Sequence, residues 1–251
     1  MTTRADVERL SSANRSIVKM ARADLTALFA GMDLSRPELV RDALVDAVPA
    51  LVREYGNLAS AVAADWYEEL RVAAGAKGVH REQLSPGADP EAVAGSVRAG
   101  SGGLFTGDTA SSLAFIEGAL QRHISYSTRD TIRRNVAGDP SRPRYARVPA
   151  GAKTCAFCDL LASRGFVYVT KKSAGEGSSG IGDDWHDDCD CQIVVEFDAD
   201  RQYIDGYDPD AMYARYREAY LSGDGTIKGT LKFMRRMNPE SYTDGVKAPA
   251  A

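Results

Sequence analysis

Cys155-Ala-Phe-Cys158 and His186-Asp-Asp-Cys189-Asp-Cys191 together hold all four cysteines of the 251-residue chain and one of its three histidines. A borderline-soft ion such as zinc takes thiolate and imidazole ligands in a tetrahedron, and a two-residue spacer presents both sulfurs of a Cys-x-x-Cys knuckle to one ion. Five donors, Cys155, Cys158, His186, Cys189 and Cys191, compete for four positions. Cys155 and Cys158 are the safest pair, with His186 and one or both of Cys189 and Cys191 completing the set. The competing reading, disulfides, needs an oxidising compartment. Met1 is followed by Thr-Thr-Arg-Ala-Asp rather than a basic stretch and an apolar run, so reduced thiols in a cytoplasm are expected.

Around the knuckle the pattern is short and alternating. Pro140 and Pro143 stop a preceding helix, Tyr145 to Val148 reads as a short strand, and Cys155 to Ser163 suits a knuckle running into one or two helical turns. Phe166 to Thr170 is a β-rich run, and residues 173–182 form a glycine-serine loop too poor in apolar residues to pack. Gln192 to Phe197 is a second strand, on which Cys189, Cys191, Ile193, Val195 and Phe197 share parity. The ion is thus expected to pin a loop to a strand edge. Asp208-Pro209 opens a helix carrying Tyr213, Tyr216 and Tyr220, a basic helix spans Thr226 to Met237, and the tail after Pro239 reads as weakly ordered.

Upstream of residue 138 apolar residues recur at helical spacing. Val7, Leu10, Ile17, Ala21, Leu25 and Leu28 mark one amphipathic helix, and Val40, Leu44, Ala47 and Leu51 a second that opens at Ser35-Arg-Pro37-Glu38 as a capping box. A third follows a break at Gly56, with Leu58, Val62, Trp66 and Leu70 on one side. A loop marked by Gly75, Gly78, Pro86 and Pro90 leads to a short helix over Glu91 to Arg98. Gly100 to Gly103 breaks it, and Asp108 or Thr109 caps a longer helix carrying Leu113, Ile116, Leu120, Ile124, Ile132 and Val136. The expected fold is α+β: a mainly helical N-terminal region (1–137), a small zinc-stabilised α+β module (138–200), and C-terminal helices and tail (201–251). The 44% hydrophobic content suffices for a buried core, no stretch approaches the roughly 18 apolar residues of a membrane span, and the net charge of -4 gives no global pull toward nucleic acid.

Cys-x-x-Cys, a short strand, a loop, His-x-x-Cys-x-Cys and another strand resembles the C-terminal module of the Mu protein F family of phage minor head proteins. That family's second element reads His-Pro-x-Cys-Arg-Cys, whereas Asp187 and Asp190 stand here in place of its proline and arginine. The stretch from Glu54 to Tyr67 is similar to minor capsid proteins of actinobacteriophages, and the likeness covers residues 35 to 245. The resemblance implies a low-copy protein built into the prohead near the portal, assembled in the host cytoplasm and carried in the virion, with portal and other capsid proteins as partners. It also implies a part in assembly, DNA packaging or DNA ejection.

The residues themselves favour a structural ion over a catalytic one. A catalytic zinc keeps an open position and is often bound by histidine and carboxylate, whereas a cysteine-dominated set closes the shell. Asp159, Asp187, Asp188 and Asp190 offer oxygen donors for a second, harder cation, although a solvated acidic rim is the plainer reading. A zinc-stabilised nuclease of the His-Asn-His or treble-clef kind is the leading enzyme alternative. It needs a general-base histidine near the ion, while His80 and His123 sit in helical territory far away in sequence. A capsid maturation protease lacks a Gly-x-Ser-x-Gly elbow, and Ser178 and Ser179 read as linker. Gly100 to Gly103 has no strand leading into it and makes a poor phosphate cradle. Arg129, Arg133, Arg134, Arg142, Arg144 and Arg147 concentrate positive charge at the junction, available either for packaged DNA or for a solvated helix face. Lys228, Lys232, Arg235 and Arg236 carry the same ambiguity. The reading as a whole is a non-enzymatic minor head protein closed by one zinc.

Overall fold

In the computed structural model of the chain, residues 1–168 and 185–246 are described. Val169, Thr170, the 173–182 stretch with Ser178 and Ser179, and the end of the tail lie outside them. The architecture is α+β, as expected. Helices α1 (Arg4–Ala30), α2 (Pro37–Ala73), α3 (Pro90–Gly100), α4 (Gly102–Thr106) and α5 (Thr109–Gly138) come first. They are followed by β1 (Arg144–Val148), α6 (Ala156–Ala162), β2 (Gln192–Glu196), α7 (Pro209–Ser222) and α8 (Ile227–Met237).

Helix α5 is the axis of the helical half, packing against α1, α2, α3 and α4. Asp108 caps it by accepting from the Ser111 N–H at 3.2 Å. The apolar stripes of α1 and α2 meet α3 and α5 in one core of Ile17, Leu25, Phe29, Leu44, Val52, Ile116, Leu120 and Ile124. Inside this contact Asn14 donates its amide to Ser125 Oγ (3.0 Å) and accepts from the Thr128 hydroxyl (2.9 Å). All three groups are buried and satisfied by one another.

Three sequence expectations change here. The break at Gly56 does not occur, because α2 runs unbroken through both Pro49 and Gly56. Gly56 is where α2 crosses α5: a Cβ there would stand 2.8 Å from Ser127 Oγ, so glycine marks a close approach of two helices rather than a stop. Ser35 does not cap α2. It turns back onto Asp33 Oδ1 through its own N–H and hydroxyl, leaving Arg36 as an N-cap without a side-chain bond. The capping box belongs to α1, between Thr3 and Asp6. Finally, Leu28 and Leu58 are exposed, and Phe29 and Val52 take the core positions.

Strands β1 and β2 pair antiparallel, from Arg144 opposite Glu196 to Val148 opposite Gln192. Tyr168 adds an isolated bridge to Tyr145, the described remnant of the expected run from Phe166. Every residue of β2 is buried, so the ribbon is covered on both faces instead of showing one face to solvent. Its core takes Val7, Leu10, Trp66, Tyr67, Ile132 and Val136 from the helices and Phe166, Ile193, Val195 and Tyr207 from the later residues. The N-terminus adds to this contact, with Thr2 bonded to Glu196 and to the Val195 carbonyl. Arg4 reaches the carbonyls of Pro149 and Ala150. Asp208 caps α7 and Thr226 caps α8. Among the described residues no helix is long and apolar enough to cross a membrane.

Candidate metal centre

The knuckle is built by a helix start. Cys155 is the N-cap of α6, and its sulfur accepts from the Cys158 N–H at 3.3 Å, a geometry that also favours a thiolate through the free amides of the first turn. The second half of the site enters from the loop before β2. Asp188, at φ 60, turns the chain so that Cys189 and Cys191 follow His186 back toward the knuckle.

All five sequence-selected donors converge. Cys158 Sγ lies 3.5 Å from Cys189 Sγ and 3.8 Å from His186 Nε2, and Cys155 Sγ lies 3.1 Å from the same nitrogen. The donors form two triads that share Cys158, one with Cys155 and His186 and one with Cys189 and Cys191. The cysteines are buried and unoxidised, and His186 sits at the solvent edge. Sulfurs about 3.7 Å apart are what a tetrahedron with metal–sulfur bonds of ~2.3 Å requires, so the donor set fits a zinc-like ion. His186 is oriented for it. Its Nδ1 faces the Asp187 carbonyl at 2.7 Å and must donate, which leaves Nε2 turned to the sulfurs.

The electrostatics agree with the chemistry of a metal site. Hydrogen bonding from Cys158, with a further contribution from His186, holds the Cys155 thiol down to about 5 against the cost of burial. Bonds to Cys155 and Cys189 lift His186 to about 11. A thiolate paired with a protonated imidazole is the protonated equivalent of a metal complex, in which a dication replaces the shared protons.

Three of the four surrounding acids are engaged by arginines, while Asp190 is half-buried and bonded to backbone. Asp159 is buried in a two-armed ion pair with Arg215 (2.6 and 3.2 Å) and accepts from the Tyr242 hydroxyl, tying α6 to α7 and the tail. Asp187 pairs with Arg122 at 3.1 Å and Asp188 with Arg22 at 2.7 Å, which lash the loop to α5 and α1. They are therefore clamps rather than a second cation site. Gly118 makes room for one of them, since a Cβ there would meet the Asp187 side chain at 2.9 Å.

The arginine cluster divides. Arg129, Arg133 and Arg147 are buried, which removes them from any phosphate-facing surface, while Arg134 and Arg142 are exposed and Arg144 half-buried. Arg134 is bonded to Asp130 at 2.6 Å, and Arg144 reaches the Ala199 carbonyl. Of the second basic set, Lys228, Lys232 and Arg236 face solvent and Arg235 pairs with Asp244. Trp185 is a site residue that the sequence reading missed. Its ring carries the guanidinium of Arg129 at 3.6 Å and that of Arg147 at 3.7 Å from its centroid. The one available signal was an aromatic residue directly beside a ligand histidine.

The other histidines stand apart from the centre. His80 bonds Asn135 at 2.9 Å and lies against Tyr67, and His123 bonds Ser96 at 3.1 Å. A family model described as VG15 protein matches residues 1–219. The chain belongs to the VG15 protein family. That family is phage-associated, so the phage character expected from the cysteine module holds at this coarser level. The match takes in all five donors and both helices that clamp their loop. No curated protein and no solved structure matches the chain.

Proposed function

We propose that this VG15 family member is a minor capsid protein of a phage head, built into the prohead near the portal, with one structural zinc and no enzymatic activity. The Mu protein F-like type suggested by the cysteine module and the actinobacteriophage type suggested by the stretch from Glu54 to Tyr67 are part of this reading. So is the partnership with portal and capsid proteins. The observation that carries it is the nature of the metal centre in a chain of a phage-associated family. Five sulfur and imidazole donors, four of them buried, stand in two triads that share Cys158, and the carboxylates of Asp159, Asp187 and Asp188 beside them are bound to arginines.

Such a shell leaves no position for a hydrolytic water. Zinc held there by four of Cys155, Cys158, His186, Cys189 and Cys191 would supply a cross-link between α6 and the strand-entry loop. Catalysis by hydrolysis also needs a base, and none of the three histidines is free to act as one. His186 faces the sulfurs, His80 is bonded to Asn135, and burial holds His123 down to about 4. Burial or bonding of the other junction arginines leaves Arg142 and the exposed basic face of α8 as candidates for contact with DNA or an acidic capsid surface.

Co-expression of the full chain with the portal, scaffold and major capsid proteins of its phage tests the reading. Purified proheads should contain it at low copy, and its absence from them overturns the assignment. The purified protein should carry about one zinc per chain and leave DNA uncut with magnesium or manganese. Cleavage that is lost in a folded His186→Ala variant would replace this reading with a nuclease.

A further inference from the structure

Arg129 is among the largest fully buried side chains of the molecule, and it projects from the centre of α5 toward the metal loop. Its guanidinium donates to the carbonyl of Cys191 from Nε (3.2 Å) and Nη2 (2.9 Å), and to the carbonyl of Cys189 from Nη2 (3.1 Å). It also lies over the Trp185 ring. Among the described residues Nη1 has no hydrogen-bond partner and no carboxylate pairs with this arginine. A buried cation held by neutral carbonyls and one aromatic face is unstable unless opposite charge stands close by. The groups placed to supply it are the sulfurs of the loop it holds: Cys189 and Cys191, whose carbonyls it bonds, and Cys158, whose Sγ lies 3.5 Å from that of Cys189.

We infer that Arg129 is the counter-cation of the metal centre, holding the Cys189–Cys191 loop by its carbonyls and neutralising an ion complex of net negative charge. A divalent ion needs at least three thiolates before it presents a negative charge to a neighbour. The ligand class is therefore a thiophilic divalent ion, and the shell contains no fewer than three cysteines. The same contact explains how the helical half senses the ion: α5 reaches the centre through a charge as well as through packing. The inference rests on the metal part of the proposed function and is independent of the place in the phage head.

The test measures zinc retention against a chromophoric chelator for the zinc-loaded full chain and its Arg129→Met and Arg129→Lys variants. Arg129→Met keeps the volume and removes the charge, and is expected to hold zinc at least about tenfold more weakly. Arg129→Lys restores the charge and should recover most of that loss. Cobalt loaded at saturation should give the same sulfur-to-cobalt absorption per ion in all three proteins, because the ligands themselves are untouched. Zinc retention by Arg129→Met equal to wild type overturns the assignment, and so does an equal loss in the Met and Lys variants, which would make the carbonyl bonds the whole effect. Should Arg129→Met give no folded protein, the Lys variant decides alone: zinc retention near wild type supports the counter-cation, and a failure like that of Met overturns it. A wild-type chain that binds no zinc refutes the metal reading itself and is thus distinguishable from either result.

Discussion

Asn14 shows how a single residue can fix the register of two long helices. It stands on the buried face of α1, where periodicity alone would ask for an apolar side chain, and its amide is used at both ends by Ser125 and Thr128 of α5. Asn14→Ala strands two hydroxyls in a dry contact, and the expected loss is about 1–3 kcal/mol, read as a lower thermal midpoint in calorimetry. A midpoint equal to wild type would show that the hydroxyls re-pair without cost. His123 supplies a second residue-level prediction. Burial, helped by the charge of Arg122, holds it down to about 4 from an ordinary 6.5, so the folded state keeps it neutral. With the folded value depressed, its contribution is complete above 6.5 and is lost as the pH falls from there through about 4. Chemical denaturation across that window should show declining stability, and His123→Gln should flatten the decline. An identical pH profile for the variant counts against this origin. The same scale separates what was legible from what was not. The donors were legible because ligand chemistry is written in residue type and spacing. Arg129 and Trp185 were not, because whether an arginine is a surface charge or a buried one depends on which helix crosses above it, and spacing along one helix carries no such information.

At the scale of elements, helices were readable from their apolar periods and caps, while their junctions were not. Gly56 illustrates the reason: in a sequence, a glycine that stops a helix and one that admits a neighbouring helix look alike, and only the 2.8 Å approach of Ser127 distinguishes them. The two-stranded ribbon was legible as two β-rich runs, yet its burial on both faces comes from helices far away in sequence. The packing assigns most of the elements to two cores, and a smaller third cluster of Ala156, Ala219, Met234 and Tyr242 joins α6 to α7 and α8. Of the two cores, one joins α1, α2, α3 and α5 through Leu25, Leu44 and Leu120, and the other joins the knuckle and ribbon to the first turns of α1 and the end of α2. Metal removal should follow these cores rather than the order of the chain. Structural zinc contributes on the order of 10 kcal/mol in small modules, far beyond what a knuckle and a two-stranded ribbon can lose and stay folded. Chelation should therefore speed amide exchange in α6, β1 and β2 and in the N-terminal turns of α1 around Val7 and Leu10. The α2 and α5 segments around Leu44 and Leu120 should remain protected. Uniform exchange through both cores, or no change in the ribbon, would contradict this division.

For the whole molecule, the question is which surface meets a partner. Removing the first two helices cannot answer it, since α1 and α2 supply much of both cores and their loss would unfold the chain. Surface substitution can. Leu28 and Leu58 have the helical spacing of core residues but stand exposed, as does Leu39 near the start of α2. Single exposed leucines are ordinary, and their replacement normally changes stability by no more than about 0.5 kcal/mol. On the proposed docking through the helical half, these three exposed leucines of α1 and α2 are the candidate anchors, because an amphipathic helix meets a partner through apolar side chains that its own core does not absorb. The combined Leu28→Ser, Leu39→Ser and Leu58→Ser chain should thus bind zinc and melt close to wild type while its copy number in purified proheads falls severalfold. A parallel chain with Lys228→Ser, Lys232→Ser and Arg236→Ser separates the basic face of α8 from the helical half. If that second chain alone is lost from proheads, contact with an acidic surface or DNA, and not the helical half, is what seats the protein. If both chains enter like wild type, neither surface is the docking site.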